Sequence, residues 1–385
     1  MSLSTFCYRL AWVCGLALLL LPACTERYIP DVISSPNSYL VVDGFINSQG
    51  ISSIKLSRTT AIAATKVPPV ETKATLFIEE EAGTRYPLTE NPLGTYTSAN
   101  LTLNPAKRYH LRINTFAGKA YTSDFAPVKT TPAIDAVTWE TNPDGLNILV
   151  DSHDPTNATR YYRWECDEAW EFNTPYRPIV EYVNGAIRPI AVPYPDYCWA
   201  FGTSTAITIG KTTALTQDVV SKFPVRYLPS SSARLQRKYS VLVQQYALTS
   251  EEYAYWDLQR RNTESLGTLF DPLPSQVKGN LHNVGDASEL VLGFVGVHSR
   301  AEKRIFINHA QLPRTWVTIT GYESCEPPDT ALVGQLDGLL AGGRLYVPIY
   351  PFYTKTGYIF GYAISTPVCV DCRKRGSALK PSFWP

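Results

Sequence analysis

The sequence predicts a mainly β protein: two immunoglobulin- or fibronectin-like β-sandwich domains, with one substantial helix near 250–263. Three observations predict it. From Tyr39 onward, apolar and polar residues alternate with period two in short runs. Prolines, glycines and asparagines separate those runs. The 385 residues include 24 Tyr, 8 Trp and 29 Pro but only 18% charged side chains, a balance that favours strands and turns.

The first element is an address. Residues 1–23 read as a lipoprotein signal peptide: Arg9 precedes an apolar run from Leu10 to Leu21, too short to span a bilayer comfortably. The run stops at Leu21-Pro22-Ala23-Cys24, which resembles a bacterial lipobox and makes Cys24 the expected lipidation site. Residues 24–38 are polar and contain Pro and Ser, as a tether does. Acyl chains contribute about 0.8 kcal/mol per buried CH₂, so several anchor a protein without a spanning helix. The full chain has 35 basic and 34 acidic side chains; removing Arg9 with the leader leaves 34 of each. That neutrality argues against nucleic acid as a partner.

Residues 39–130 read as the first sandwich. YLVVDGFI, SSIKLSRT, KATLFIEE, GTYTSA, KRYHLRINTF and GKAYTSDF supply its strands. In RYHLRIN, Tyr109, Leu111 and Ile113 share one face while His110, Arg112 and Asn114 share the other. TTPAID at 130–135 marks a boundary, and residues 131–325 read as a second β-domain with an irregular insertion. AIDAVTWE, GLNILVDS, RYYRWEC and YSVLVQQYAL are strand-like there, and prolines exclude a long helix between them. Thr249 and Glu252 have the spacing of a capping box, and Leu248 with Tyr253 that of a hydrophobic staple; they open the helix. Strands are expected again at ELVLGFVGVHS, KRIFIN and TWVTITGY. Residues 326–385 are rich in Pro and Gly and read as a C-terminal wrap.

The segment SVLVQQYALTSEEYAYWDLQRRNTESLGTLFDPLPSQVKGNLHNV carries a resemblance. With YLVVDGFI, AIDAVTW, RYYRWE, CWAF, LGFVGVHS, RIFI and CVDCRKRGSALKPSFW in the same order, it resembles the domain-of-unknown-function 4249 family over nearly the whole mature chain. Phe45 stands where that family often has Trp. The resemblance implies a cell-envelope lipoprotein of Bacteroidota-type bacteria, often encoded beside a TonB-dependent outer-membrane receptor. It implies no catalytic residues.

Five cysteines remain after the leader and Cys24: Cys166, Cys198, Cys325, Cys369 and Cys372. Outside the cytosol such cysteines tend to pair. Cys166 alternates with Arg163, Glu165 and Asp167 and reads as a free core residue. The other four fall within the family motifs and allow three connectivities. The favoured reading clamps the tail by two bridges to Cys198 and Cys325, against a tight Cys369–Cys372 ring. Zinc is disfavoured because a lone CxxC lacks a second close pair, with His298 and His309 in strand-like runs. A redox CxxC opens a helix after a strand, which this one does not. No metal or cofactor is expected.

Other candidates have plain readings. Asp151-Ser152-His153-Asp154-Pro155 fits a strand-ending turn rather than a calcium loop. Glu165, Asp167, Glu168 and Glu171 alternate with aromatics and read as a solvated strand edge. Arg373, Lys374 and Arg375 read as a solvated turn or a short lipid-facing patch. Pro274, Ser275, Gln276, Lys278 and Asn280 form a candidate binding loop, because loops on rigid scaffolds often carry function; the alternative is a bridge between packed layers. No G-x-S-x-G, H-E-x-x-H, P-loop or G-x-G-x-x-G is present. The expectation is therefore a non-enzymatic accessory lipoprotein, lipid-anchored at the outer membrane and associated with a TonB-dependent receptor. The alternatives are a structural or adhesive surface protein and an envelope glycan or peptide hydrolase.

Overall fold

The structure, a computed structural model, describes residues 38–60, 67–264, 277–341 and 345–385. The leader 1–23, Cys24, all but the last residue of the tether, and Pro274, Ser275 and Gln276 lie outside them.

The protein is mainly β. Leu40–Asn47, Gln49–Arg58, Thr75–Glu80, Arg85–Glu90, Thr95–Thr102, Arg108–Asn114 and Ala120–Ser123 form successive strands of one sheet. Their inward residues, among them Leu40, Ile54, Leu76, Tyr96, Tyr109, Leu111, Ile113 and Tyr121, meet in one core, so the sheet wraps around it. Gly44 has a left-handed φ of 131°, and a Cβ there would lie 2.2 Å from the Ser53 carbonyl oxygen. Only glycine lets these two strands stay that close.

The second sandwich pairs a three-stranded sheet with a five-stranded one. Ile134–Asn142, Gly145–Asp154 and Asp218–Pro229 make the first. Tyr161–Phe172, Lys238–Ala247 and Arg300–Asn308, with Cys198–Thr203 and Thr208–Lys211, make the second. Tyr162, Trp164 and Cys166 alternate onto the core face and pack among Leu146, Ile148, Val150 and Val220.

Two expectations about domain extent differ from this arrangement. The second domain is not continuous over 131–325. Leu281–Asn283 pairs with Ala120–Ser123, Val291–Leu292 pairs in parallel with the start of Leu40–Asn47, and Val297–His298 with its end. These pieces are too short for their periodicity to announce a partner. The C-terminal segment is also more than a wrap. Asp329–Leu332, Val347–Tyr353 and Ile359–Ser365 form a three-stranded sheet with its own apolar clusters. The insertion hairpin Val180–Val183/Ala186–Pro189 contributes Tyr182 and Ile187 to it. TWVTITGY is not a strand; Ile319 N–H donates to the Ser231 carbonyl, and no ladder follows.

The two sandwiches are joined where chain segments cross side by side. Lys129 N–H donates to the Val297 carbonyl and Ser299 N–H to that of Lys129. Thr131 donates its N–H to Ser299 Oγ at 2.8 Å and its hydroxyl to the Ser299 carbonyl at 2.5 Å. The same hydroxyl accepts from Ala247 N–H at 3.0 Å. The helix Ser250–Glu264 follows directly, its first turn capped by Thr249 Oγ1, which accepts from Glu252 N–H at 3.1 Å. The expected box is only half made, because the Glu252 carboxylate turns to His298.

The tail is bridged twice, Cys198 to Cys372 and Cys325 to Cys369, with separations of 174 and 44 residues. Loop closure on those lengths gives about 5 and about 4 kcal/mol. Beyond the bridges, Ser377 pairs with Trp199, and Trp384 packs edge-on against Trp199 and Phe306.

Three outcomes are expected. Thr131→Val leaves the buried Ala247 N–H without its acceptor and lowers stability by about 1–3 kcal/mol, read as a lower denaturant midpoint. The double variant Cys369→Ser/Cys372→Ser makes residues 329–385 the first to be cut in limited proteolysis, with mass spectrometry identifying the sites. Asp154, at the end of its strand, accepts from Thr156 and Thr159; burial alone would raise its carboxyl, but these bonds outweigh burial and hold it at about 2. A depressed folded-state value stabilises the fold above the unfolded value near 3.8 and loses that contribution as pH falls through about 2. Acid titration of stability is therefore shallower in Asp154→Asn by about 2 kcal/mol over that window.

Candidate functional site

The junction of the sandwiches holds a cleft of about 280 Å³ beneath the helix Ser250–Glu264. Segments far apart in sequence supply its walls, with Ser53 and Phe294 among the lining residues beside those that follow. Asp43 and Phe45 come from the first strand, Arg163 and Glu165 from the centre of the five-stranded sheet, Glu252, Tyr255 and Trp256 from the helix, and His298 from the crossing.

His298 is 3% exposed and is held on three sides. Its ring stacks on Phe45 at 4.4 Å between centroids, and Tyr246 leans on both. Its Nε2 faces Glu252 Oε1 at 3.4 Å, while Nδ1 has no partner among the described residues. Glu252 is buried as well, over Gly296, where a Cβ would come within 2.3 Å of its carboxylate. The absence of that side chain is what lets a carboxylate enter the junction.

Arg163 forms the opposite wall. It pairs with Glu165 and lies 3.7 Å from the centroid of the Trp256 ring, a cation–π contact. Tyr246 donates its hydroxyl to Glu165 Oε2 at 2.9 Å. Burial first, then the Glu165 carboxylate, push the Tyr246 phenol above its ordinary range. Larger grooves of about 700 and about 520 Å³ flank the helix, and Tyr255 lines both as well as the cleft.

The sequence-predicted residues distribute differently. Lys278 lines the 700 Å³ groove. Asn280 lines it too, and its amide ties two loop arms together, Nδ2 donating to the Val295 carbonyl and Oδ1 accepting from Val295 N–H. Pro274, Ser275, Gln276 and Cys24 lie outside the described residues. Cys198, Cys325, Cys369 and Cys372 cluster around Phe172 and Tyr322. Cys166 is a buried free thiol, pushed up to about 12 by burial and then by Glu168. Arg373 pairs with Asp371, and Arg375 lies over Tyr322 and donates to the Gly321 carbonyl. Among the described residues no group of three His, Cys, Asp or Glu side chains is placed to hold a metal ion, and no helix is long and apolar enough to cross a membrane.

The carboxylate run of Tyr161–Phe172 is not a solvated edge. The strand lies inside its sheet, between Cys198–Thr203 and Lys238–Ala247. Glu168 shares the parity of Tyr162, Trp164 and Cys166, so it points inward and is fully buried. It accepts from Arg226 at 3.0 Å, from Arg234, and from the Tyr239 hydroxyl at 2.5 Å. Burial, then Glu168, push the Tyr239 phenol well above its ordinary range. The signal was in the alternation itself, which continues through Cys166 to Glu168. His298, Trp256 and Arg163 carried no comparable signal, because their meeting depends on the crossing.

No curated protein matches the chain. Among solved structures it is similar to the FN1–FN3 domains of chicken CNTN1, at 12% identity over 54% of this chain and 59% of that one, with a TM-score of 0.14. It is also similar to the chitinase ChiA74 from Bacillus thuringiensis, at 11% identity over 50% of this chain and 28% of that one, with a TM-score of 0.15. A third is the BSP domain of a biofilm associated protein, at 7% identity over 86% and 76%, with a TM-score of 0.12. The chain thus spans less than two thirds of the first two. The family model described as Domain of unknown function (DUF4249) matches residues 25–304, a span that takes in the first sandwich, every wall of the cleft and the second sandwich up to the middle of Arg300–Asn308, and the chain belongs to that family.

Proposed function

We propose that this protein is a binding protein of the cell envelope, anchored by acyl chains on Cys24 and working beside a TonB-dependent outer-membrane receptor. The observation that carries the reading is the cleft: a polar, aromatic-walled recess built at a junction of two interlocked sandwiches. Binding sites often form at domain interfaces, with apolar walls and a few placed polar groups. The paired tail cysteines are consistent with an oxidising compartment. The Leu21-Pro22-Ala23-Cys24 run supports the anchor.

A hydrolytic reading has one observation in its favour, since Asp43, Glu165 and Glu252 all line the cleft. Against it, Glu165 is committed to Arg163 and Tyr246, and Glu252 to His298.

Crosslinking in intact cells followed by affinity capture is expected to recover a TonB-dependent receptor, and palmitate label is expected to enter the wild type but not Cys24→Ala. Recovery no higher than with an unrelated lipoprotein, or equal fractionation of Cys24→Ala with the membrane, overturns the reading.

A further inference from the structure

Exposed apolar side chains collect at one end of the C-terminal three-stranded sheet. Leu332 is 50%, Val333 51%, Tyr353 60%, Tyr358 75%, Ile359 41% and Phe360 44% exposed. The strand register brings them together: Leu332 and Phe352 both stand opposite Gly361, and Tyr353 stands opposite Ile359. Ile349, Ala363 and Ile364, farther along the same strands, are buried. The turn that closes this end is well formed. Thr354 N–H donates to the Tyr358 carbonyl at 2.7 Å, Tyr358 N–H to Thr354 Oγ1 at 3.1 Å, and Gly357 takes the left-handed φ of 87° that the turn requires. Phe352 and Phe360 stack across the strand pair at 6.0 Å between centroids. The apolar surface is therefore presented by a built tip.

The charge around it has one sign. From Thr330 to Val370 the sequence holds a single carboxylate, Asp337, which accepts from the Tyr182 hydroxyl at 2.6 Å. Lys355 lies in the turn between Tyr353 and Tyr358, is exposed and makes no ion pair among the described residues. Tyrosine rings with an apolar body and a polar end settle at the headgroup level of a bilayer, and a lysine beside them complements anionic lipid. Residues 24–38 reach about 50 Å at full extension, so acyl chains on Cys24 keep the folded part within that distance of a membrane. A contact too weak to hold a free protein then becomes an intramolecular one. We propose that the tip formed by Tyr353–Phe360 is a second membrane contact, which rests in the headgroup region of an anionic phospholipid bilayer. Two contacts fix how the folded part faces the membrane, which a tether alone does not.

The proposal rests on the reading of this protein as a lipid-anchored envelope protein, and its test leaves the acyl chains out. The mature chain carrying Cys24→Ala is sedimented with vesicles of phosphatidylethanolamine and phosphatidylglycerol, or of phosphatidylcholine alone. Saturable cosedimentation is expected with the anionic vesicles, and weaker binding with the neutral ones. Tyr353→Ser/Tyr358→Ser, at exposed positions, is expected to fold as the parent does by circular dichroism and to bind about tenfold more weakly. Lys355→Glu is expected to weaken binding to the anionic vesicles, and Leu93→Ser, 73% exposed on the first sandwich, to change nothing. No cosedimentation above a lipid-free control, undiminished binding of the double variant or of Lys355→Glu, or an equal loss in Leu93→Ser overturns the proposal. So does a dimer in analytical ultracentrifugation that the double variant abolishes, because the tip then belongs to a second copy. If palmitate labels the wild type while the Cys24→Ala chain ignores vesicles, only this proposal fails; if that chain binds vesicles while palmitate does not label the wild type, only the acyl anchor fails.

Discussion

The contact between Thr131 and Ser299 is the constraint on which the architecture depends. A single buried hydroxyl joins the segment leaving the first sandwich, the segment returning to the second, and the last residue of a central strand. Both partners of that hydroxyl, the Ser299 carbonyl and the Ala247 N–H, are backbone polar groups that need partners once water is excluded. Because the crossing is satisfied only when both sandwiches are in place, the domains do not behave as beads on a linker. The strand that pairs with Ile46 and Asn47 continues, past Ser299, into Arg300–Asn308 of the second domain. Rotation of one sandwich against the other would therefore break ladder bonds in both.

The five-stranded sheet shows how the rest is organised around that crossing. Its inner face is a sandwich core, ended by Glu168 under Arg226, Arg234 and Tyr239. Removing one member of such a group leaves an uncompensated buried charge, which costs far more than a surface ion pair would. The outer face is covered in two parts. Near Arg163 the helix lies over it through Trp256, and near Ala169 the tail lies over it through Trp384. The bridges at Cys369 and Cys372 hold the second cover, whose apolar clusters are small.

Legibility in the sequence follows contact range. Strand alternation from Leu40 to Ser123 and the helix start at Thr249 are local patterns, and the corresponding elements are present. Domain extent was less legible, since Leu281–Asn283, Val291–Leu292 and Val297–His298 are too short to show a period and take their meaning from the sheet edge they meet. Glu168 was legible in principle, because parity with Trp164 and Cys166 points it inward, but its acidic neighbours suggested solvent. The cleft was not legible. Glu252 has the spacing of a cap and also faces His298, and only the vacancy above Gly296 makes the second role possible.

The same reasoning explains why the cleft and the crossing form one feature. Its walls come from residues 42–45, 53, 163–165, 252–256, 293–294 and 298, and His298 adjoins Ser299 in the crossing itself. Phe45 stacks on His298 from the strand that Val297–His298 extends. A shift of the sandwiches large enough to open the cleft would separate Phe45 from Tyr246 and break the hydrogen bonds around Thr131 together. The site is therefore pre-organised by the fold's own polar accounting, and a ligand entering it has little ordering cost left to meet.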